Sequence, residues 1–335
     1  MATPSVTTTT RPRRSVSTDG EPFVVAVVGA TATGKSDLGI ALAQLLDGEV
    51  VSADASQLYR GMDIGTAKVP LAQRHGIAHH QIDVLDVTDE ATIAGYQRHA
   101  RADVDAVLAR GRVPVVVGGS GLYVRALLDH LELPPTDPDV RQRLEERADA
   151  EGTAALLAEL RELDPVAAAA IEPNNTRRIV RALEVIELTG RPFSATMPTR
   201  QTLRPTVFVG LRVDREALDR RIERRTRQMF ASGLVQEARG LVGAGLREGR
   251  TASRAVGYAQ ALAVIDGSMS VEEAEADTAL RTRRLVRRQE SWFGADPRIE
   301  WFDPSEPDLV DRVARTIEDA ASTARRARCD DEPHG

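Results

Sequence analysis

The chain has 335 residues, enough to bury a large core and to form more than one lobe. Its 50 acidic residues outnumber 44 basic ones, for a formal charge of −6, which excludes a protein that coats nucleic acid non-specifically and leaves only local basic faces for such a partner. The single cysteine, Cys329, excludes a disulfide framework or a cysteine-built zinc site and fits a reducing cytoplasm, and no apolar run approaches the length of a membrane span.

Residues 1–20 are rich in Thr, Ser, Arg and Pro and lack an apolar h-region, so they read as a disordered tail rather than a secretion signal. Phe23-Val24-Val25-Ala26-Val27-Val28 is β-branched and free of charge, the pattern of a buried strand. Gly29-Ala30-Thr31-Ala32-Thr33-Gly34-Lys35-Ser36 follows, and then a helical pattern from Asp37 to Leu46. Strand, glycine loop and helix are the context that G-x-x-x-x-G-K-[ST] requires. Glycines let successive N–H groups converge on one anion, and the helix N-terminus adds its positive dipole end. Lys35 supplies a full charge to phosphate oxygens, and the Ser36 hydroxyl can ligate Mg²⁺. The loop does not say which phosphate compound it holds.

Glu49 to Asp54 reads as a second strand ending on a carboxylate. Residues 55–68 are polar and glycine-punctuated, a long functional loop. His79 to Asp86 reads as a short strand, and Ile93 to Ala109 as a helix stopped by Gly111. The run at 113–117 is another buried strand, followed by the turn Gly118-Gly119-Ser120-Gly121. This alternation predicts an α/β fold, a parallel sheet wrapped by helices. From 133 to 200 no strand pattern occurs; Leu156, Leu157, Leu160 and Leu163, then Ile179, Leu183 and Ile186, recur at helical spacing, so an all-helical insertion between proline-rich joints is expected. The core, 21–132 and 201–324, resumes with a strand at 207–213 and is mostly helical thereafter, with an edge strand at Ile299 to Phe302 and a loose tail from 325.

Three helical stretches concentrate arginine: Arg177, Arg178 and Arg181; Arg220, Arg221, Arg224, Arg225 and Arg227; and Arg281, Arg284 and Arg288 with Arg283 and Arg287. The bland reading is solvated helix faces. In a chain of net negative charge, their segregation suggests an anionic partner, either a phosphate substrate or a nucleic-acid backbone. Asp54, at the carboxyl end of a strand, faces the crevice where phosphate ligands sit, as a magnesium ligand or a general base. His79-His80 reads as hydrogen-bonding rather than metal-ligating. On physics alone the default is a P-loop kinase of the nucleotide or shikimate kinase type, although the strand at 115–117 ends in glycines and not in the acid expected to help hold magnesium.

From Val24 to Trp301 the segments resemble, in one order, the tRNA dimethylallyltransferase (tRNA isopentenyltransferase) family. The resemblance rests on GATATGKS, on DASQLYRGMDIGTAK from Asp54, on AHHQIDVLD and on VPVVVGGSGLY. It continues through PNNTRRIVRALEVIELTGRPFS, RQMFASGL, SRAVGYAQAL and RRLVRRQESWF. Ala30 and Thr33 depart from the common Pro and Ser, Ala55-Ser56 departs from the pattern after the aspartate, and Gly294-Ala295 replaces frequent basic residues.

The resemblance implies transfer of a dimethylallyl group from dimethylallyl diphosphate to N6 of the adenosine 3′ of the anticodon, in the cytoplasm, by a monomer using Mg²⁺. It implies that Gly29 to Ser36 hold the diphosphate, Ser36 the metal, and that Asp54, Thr31, Lys35 and Arg225 carry the chemistry. It further implies that the tRNA anticodon stem-loop touches Asp54, Ala55, Ser56, Gln57, Ser120, Arg141, Arg177, Arg178, Arg181, Arg254, Gly257 and Tyr258, with the insertion clasping the stem. Two alternatives stand beside it: an adenylate isopentenyltransferase acting on free nucleotides, and a small-molecule kinase.

Overall fold

The computed structural model of the chain describes residues 22–196 and 200–329. The expected tail at 1–20 lies outside them. Six parallel strands form one sheet: β1 (Val24–Gly29), β2 (Gly48–Ser52), β3 (His79–His80), β4 (Val113–Gly118), β5 (Thr206–Leu211) and β6 (Ile299–Phe302), in the order β3-β2-β4-β1-β5-β6. Every residue of β1 and β4 is buried, which is why both read as unbroken apolar runs. Pro114 is tolerated in β4 because pairing with β1 begins only at Val115.

On one face of the sheet, α2 (Ile93–Ala109) and α3 (Gly121–Leu128) pack Tyr96, Ala100, Val104, Val124 and Leu127 against Val24, Ala26 and Val116. On the other face lie α1 (Lys35–Leu45) and α12 (Leu309–Cys329), which bury Leu38, Leu42, Val313 and Ile317 against Val25, Val115 and Val209. Beyond β5, α8 (Arg215–Ala231) packs on α11 (Val271–Gly294) through Leu218, Ile222, Ala279 and Val286, directly behind Ala30 of the glycine loop. A third cluster joins α9 (Leu234–Val242) and α10 (Tyr258–Ile265) to Tyr59 and Met62.

Residues 129–203 form a separate compact unit. Within it, α4 (Pro138–Glu151), α5 (Thr153–Leu163), α6 (Pro165–Ala170) and α7 (Thr176–Thr189) enclose Leu144, Leu156, Leu160, Ile179 and Leu183. Leu163, expected on the buried stripe, is half exposed at the end of α5.

One expectation is corrected. β3 spans only two residues, because Gln81 and Asp83 adopt left-handed backbone conformations and Asp83 turns to Lys68. The segment 55–68 is a loop, as expected, and a packed one: Tyr59, Met62 and Lys68 are buried, and the Lys68 ammonium donates to the Tyr59 carbonyl, to Asp63 and to Asp83. Of the tail expected from 325, residues 325–329 continue the backbone of α12, and the remainder lies outside the described residues.

Candidate active site

The glycine loop leaves β1 between β4 and β5, at the carboxyl edge of the sheet where open α/β folds bind ligands. Gly29 has φ 137°, and a Cβ there would lie 2.6 Å from the Leu211 carbonyl oxygen, so no side chain fits. The loop closes on the Ala30 carbonyl, which accepts from Thr33 Oγ1 at 2.9 Å and from Lys35 Nζ at 2.5 Å. Burial lowers the Lys35 ammonium to about 8, the Asp54 carboxylate opposes that shift, and Arg225 adds to it. Arg225 is likewise lowered by burial and held up by Asp54. One carboxylate therefore faces two cations around the loop.

Asp54 follows β2 and accepts from the Ser56 N–H at 2.9 Å, which fixes its carboxylate. The Ala55 N–H reaches Ser120 Oγ at 3.4 Å. Gln57 is occupied at both ends of its amide, accepting from Ser52 Oγ at 3.0 Å and donating to the Thr66 carbonyl at 3.2 Å. It braces the segment after β2.

Two cavities meet at this edge. One, of about 560 Å³, is lined by Lys35, Ser36, Lys68, Arg221, Arg224, Arg225 and Gln228 and is strongly basic. The other, of about 470 Å³, is walled by Ile93, Leu122, Tyr123, Ile222, Met229, Val256, Leu285 and Trp292 and is mainly apolar. Thr31, Ala32, Asp54, Thr66, Gly119 and Arg225 line both. A charged ligand on the glycine loop thus has an apolar chamber next to it, with Asp54 and Arg225 in the shared wall.

Several residues that build this wall escape a sequence reading. Gln289 on α11 accepts from the Thr31 N–H at 2.9 Å and donates to the Gly119 carbonyl at 2.9 Å, joining the two glycine turns. Its signal lay in the face Thr278, Thr282, Leu285, Gln289 and Trp292 at helical spacing, all of which line the apolar cavity. Glu237 accepts from the Ile64 N–H at 2.9 Å and from the Tyr258 hydroxyl at 2.5 Å. Gly65 is required beneath Tyr258, because a Cβ there would meet that ring at 2.4 Å.

Four of the expected RNA contacts are engaged within the protein. Tyr258 is fully buried and Gly257 is buried with it, so both shape the segment 61–66 from behind. Arg141 and Arg181 close on the buried Glu184 at 2.6 and 2.8 Å, and Arg181 also donates to the carbonyls of Pro134 and Pro135. They tie α4 to α7 around a charge that would otherwise be buried alone. Burial raises the Glu184 carboxyl, but hydrogen bonds from Arg141, Arg181 and the Asp137 N–H outweigh it and hold it below its ordinary value. Arg177 and Arg178, in the first turn of α7, and Arg254 are exposed. His80 Nε2 contacts Glu49 at 2.6 Å and His79 Nδ1 the Ile77 carbonyl at 2.9 Å. Among the described residues no cluster of three or more His, Cys, Asp or Glu forms a metal cage.

A lysine-bearing glycine loop at the carboxyl edge of a parallel sheet, opening on a basic cavity, defines a P-loop protein that handles a phosphorylated ligand. The chain belongs to the IPP transferase family, whose profile it matches over residues 57–296. It is 58% identical over 299 residues to a tRNA dimethylallyltransferase of Nocardia farcinica, covering 89% of this chain and 96% of the relative. A second relative of that name, from Kineococcus radiotolerans, is 58% identical over 308 residues, covering 89% of this chain and 97% of the relative. The full-length tRNA isopentenylpyrophosphate transferase of Bacillus halodurans superposes with a TM-score of 0.68 at 37% identity, covering 92% of this chain and 99% of that one. A eukaryotic dimethylallyltransferase acting on tRNA superposes with a TM-score of 0.73 at 26% identity, covering 88% and 78%.

Proposed function

We propose that this chain transfers a dimethylallyl group from dimethylallyl diphosphate to N6 of the adenosine 3′ of the anticodon in tRNA, releasing diphosphate. The observation that carries the reading is the shared wall: Asp54 and Arg225 stand between a basic cavity holding Lys35 and an apolar cavity. The diphosphate binds to the amides of the loop and to Lys35, and the five-carbon chain lies toward the apolar side. N6 attacks C1 of the allyl group, the C1–O bond breaks, and its electron pair leaves with the diphosphate. Lys35 and Arg225 balance the charge that develops on that oxygen. Asp54 takes the proton that N6 loses. Gln289 holds the Thr31 N–H, so this amide is spent on positioning, and we assign the Thr31 hydroxyl to hydrogen-bond near the bridging oxygen.

Ser36 and Asp54 both line the basic cavity, and such a sparse donor set fits a magnesium ion that arrives bound to diphosphate oxygens and water. Such an ion would add further positive charge at the leaving group. On the RNA side we assign Asp54, Ala55, Ser56 and Ser120 near the target base, and Arg177, Arg178 and Arg254 to phosphates. We further propose a cytoplasmic site of action and a monomer. Among the described residues no helix is long and apolar enough to cross a membrane.

The test is incubation of the protein with unmodified tRNA and labelled dimethylallyl diphosphate, with ATP and AMP as competing acceptors. Label is expected in tRNA, on the adenosine next to the anticodon. Label in AMP alone would replace the reading by a free-nucleotide prenyltransferase, and phosphate transfer from ATP would replace it by a kinase.

A further inference from the structure

Among the described residues two aromatic side chains line the apolar cavity, Trp292 and Tyr123. Trp292 is 41% exposed, whereas Tyr123, in the first turn of α3, is 7% exposed. Two features fix the place of Tyr123. The turn after β4 brings α3 up to the segment of Asp54, where the Ala55 N–H reaches Ser120 Oγ. The Tyr123 ring then packs on Tyr96, with centroids 4.5 Å apart and planes at 46°. Tyr96 is itself held, since its hydroxyl donates at 2.9 Å to the carbonyl of Ser52, two residues before Asp54. Burial pushes the Tyr123 phenol above its ordinary range, and Tyr59 and the Asp54 carboxylate push it the same way. The ring is therefore neutral, dry and in the same surroundings as Asp54.

The transfer makes a charge in this cavity that no residue assigned above serves. As the C1–O bond breaks, its electron pair leaves with the diphosphate, and the allyl group is electron-poor at C1 and C3 until the N6 lone pair arrives. Arg225 and Arg288 line the cavity and repel such a charge; Asp54 is the one carboxylate lining it among the described residues. An aromatic face attracts a cation through its quadrupole, and it neither takes a proton nor attacks carbon. We propose that Tyr123 is a catalytic residue whose ring lies against the five-carbon chain and stabilises the positive charge developing on C1 and C3. This deepens the transfer reading above and rests on it. Lys35 and Arg225 serve the leaving oxygen, Asp54 the N6 proton, and Tyr123 the carbon between them. The chain is neutral in the bound diphosphate and charged only as the bond breaks, so the ring acts on the rate and not on binding.

The test uses the full-length protein with Tyr123→Phe as the reference, and with phenylalanines carrying one, two and three ring fluorines placed at the same position. Fluorine drains negative charge from the ring face and hardly changes its shape. Single-turnover rates at saturating unmodified tRNA and labelled dimethylallyl diphosphate should fall with each fluorine, log-linearly, by about 10- to 30-fold across the series. Tyr123→Leu should fall at least as far. Binding of dimethylallyl diphosphate should stay level along the series, which separates a contribution to the rate from a packing role. A rate indifferent to fluorine would overturn the proposal, as would Tyr123→Phe falling as far as Tyr123→Leu, which would assign the effect to the hydroxyl. The series is read with whichever acceptor takes the label. A parent that prenylates AMP alone therefore overturns the tRNA reading while the fluorine series still decides on the ring, and a parent that transfers no prenyl group overturns both.

Discussion

Lys35 is half-buried beside Arg225, and burial holds its ammonium at about 8. A diphosphate bound to the loop brings anionic charge to that ammonium and raises its pKa, so binding takes up a proton. With the free-protein pKa below the bound one, affinity is complete below pH 8 and falls above it, approaching tenfold per pH unit until the bound form's own pKa is reached. Titrating dimethylallyl diphosphate binding from pH 7 to 10 checks this. Lys35→Met should bind weakly at every pH, with the alkaline loss gone. Asp54 allows a separate test. Asp54→Asn keeps shape and hydrogen bonding but cannot take the N6 proton, and should lower the single-turnover rate about 10²–10⁴-fold with both substrates still bound. Recovery of the rate by excess Mg²⁺ would make Asp54 a metal ligand instead. At this scale the sequence was most legible where local geometry dictates residue type: GATATGKS announces its own backbone, and Asp54 its place at a strand end. Gln289 was not legible, because its partners, the Thr31 N–H and the Gly119 carbonyl, lie 258 and 170 residues away along the chain.

Single elements were read well where one period dominates. β1, β4 and α2 fall where their apolar spacing puts them, because tertiary context agrees with local pattern. The arginine-rich helices were harder, since a guanidinium can bind a phosphate or a buried carboxylate and spacing does not distinguish them. In α7 the structure separates the two uses. Arg181 is half-enclosed and, with Arg141 from α4, neutralises Glu184, whereas Arg177 and Arg178 stand exposed where the helix dipole disfavours cations. Two unpaired arginines at a helix N-terminus are unfavourable for the isolated helix, which fits the proposed contact of Arg177 and Arg178 with an anionic partner. Replacing both with Gln should reduce the slope of log K against log salt for tRNA binding by roughly two, with thermal stability kept. Arg141→Gln should do the converse. It should destabilise the insertion by about 3 kcal/mol or more, because it leaves part of a buried carboxylate unpaired, and its effect on the salt slope should follow only from loss of fold. Salt-dependent binding and thermal denaturation of the two variants, measured side by side, distinguish RNA contact from internal brace.

Across the whole molecule the sheet divides its labour between its ends. The carboxyl edge carries the glycine loop, Asp54 and Gly118 to Ser120, and strain and buried charge accumulate there because a ligand is to be bound. The amino edge carries a different cluster around Glu49, near the start of β2. The Glu49 carboxylate is only 4% exposed; it receives His80 at 2.6 Å, Arg110 at 2.7 and 3.2 Å, and Arg112 at 3.2 Å. His80 at the end of β3, and Arg110 and Arg112 in the turn between α2 and β4, thus clamp the elements that flank β2 onto it. Burial pushes the carboxyl up, but the hydrogen bonds and charges of Arg110 and His80 win and bring it from 4.5 to about 2. A folded pKa below the unfolded one gives stability that is present above pH 4.5 and lost as the pH falls toward 2. A shift of this size, discounted because Arg110 and Arg112 are nearly half exposed, corresponds to on the order of 2–3 kcal/mol. Glu49→Gln should therefore lower the urea-unfolding free energy by about that amount at pH 7, and the gap between variant and parent should close between pH 4.5 and 2. Since this cluster shares no residue with either cavity, the variant's single-turnover rate at 25 °C should match the parent's. A rate that fell in proportion to stability would mean that the two edges of the sheet are coupled, and that the geometry at Asp54 depends on the clamp at the other end of its own strand.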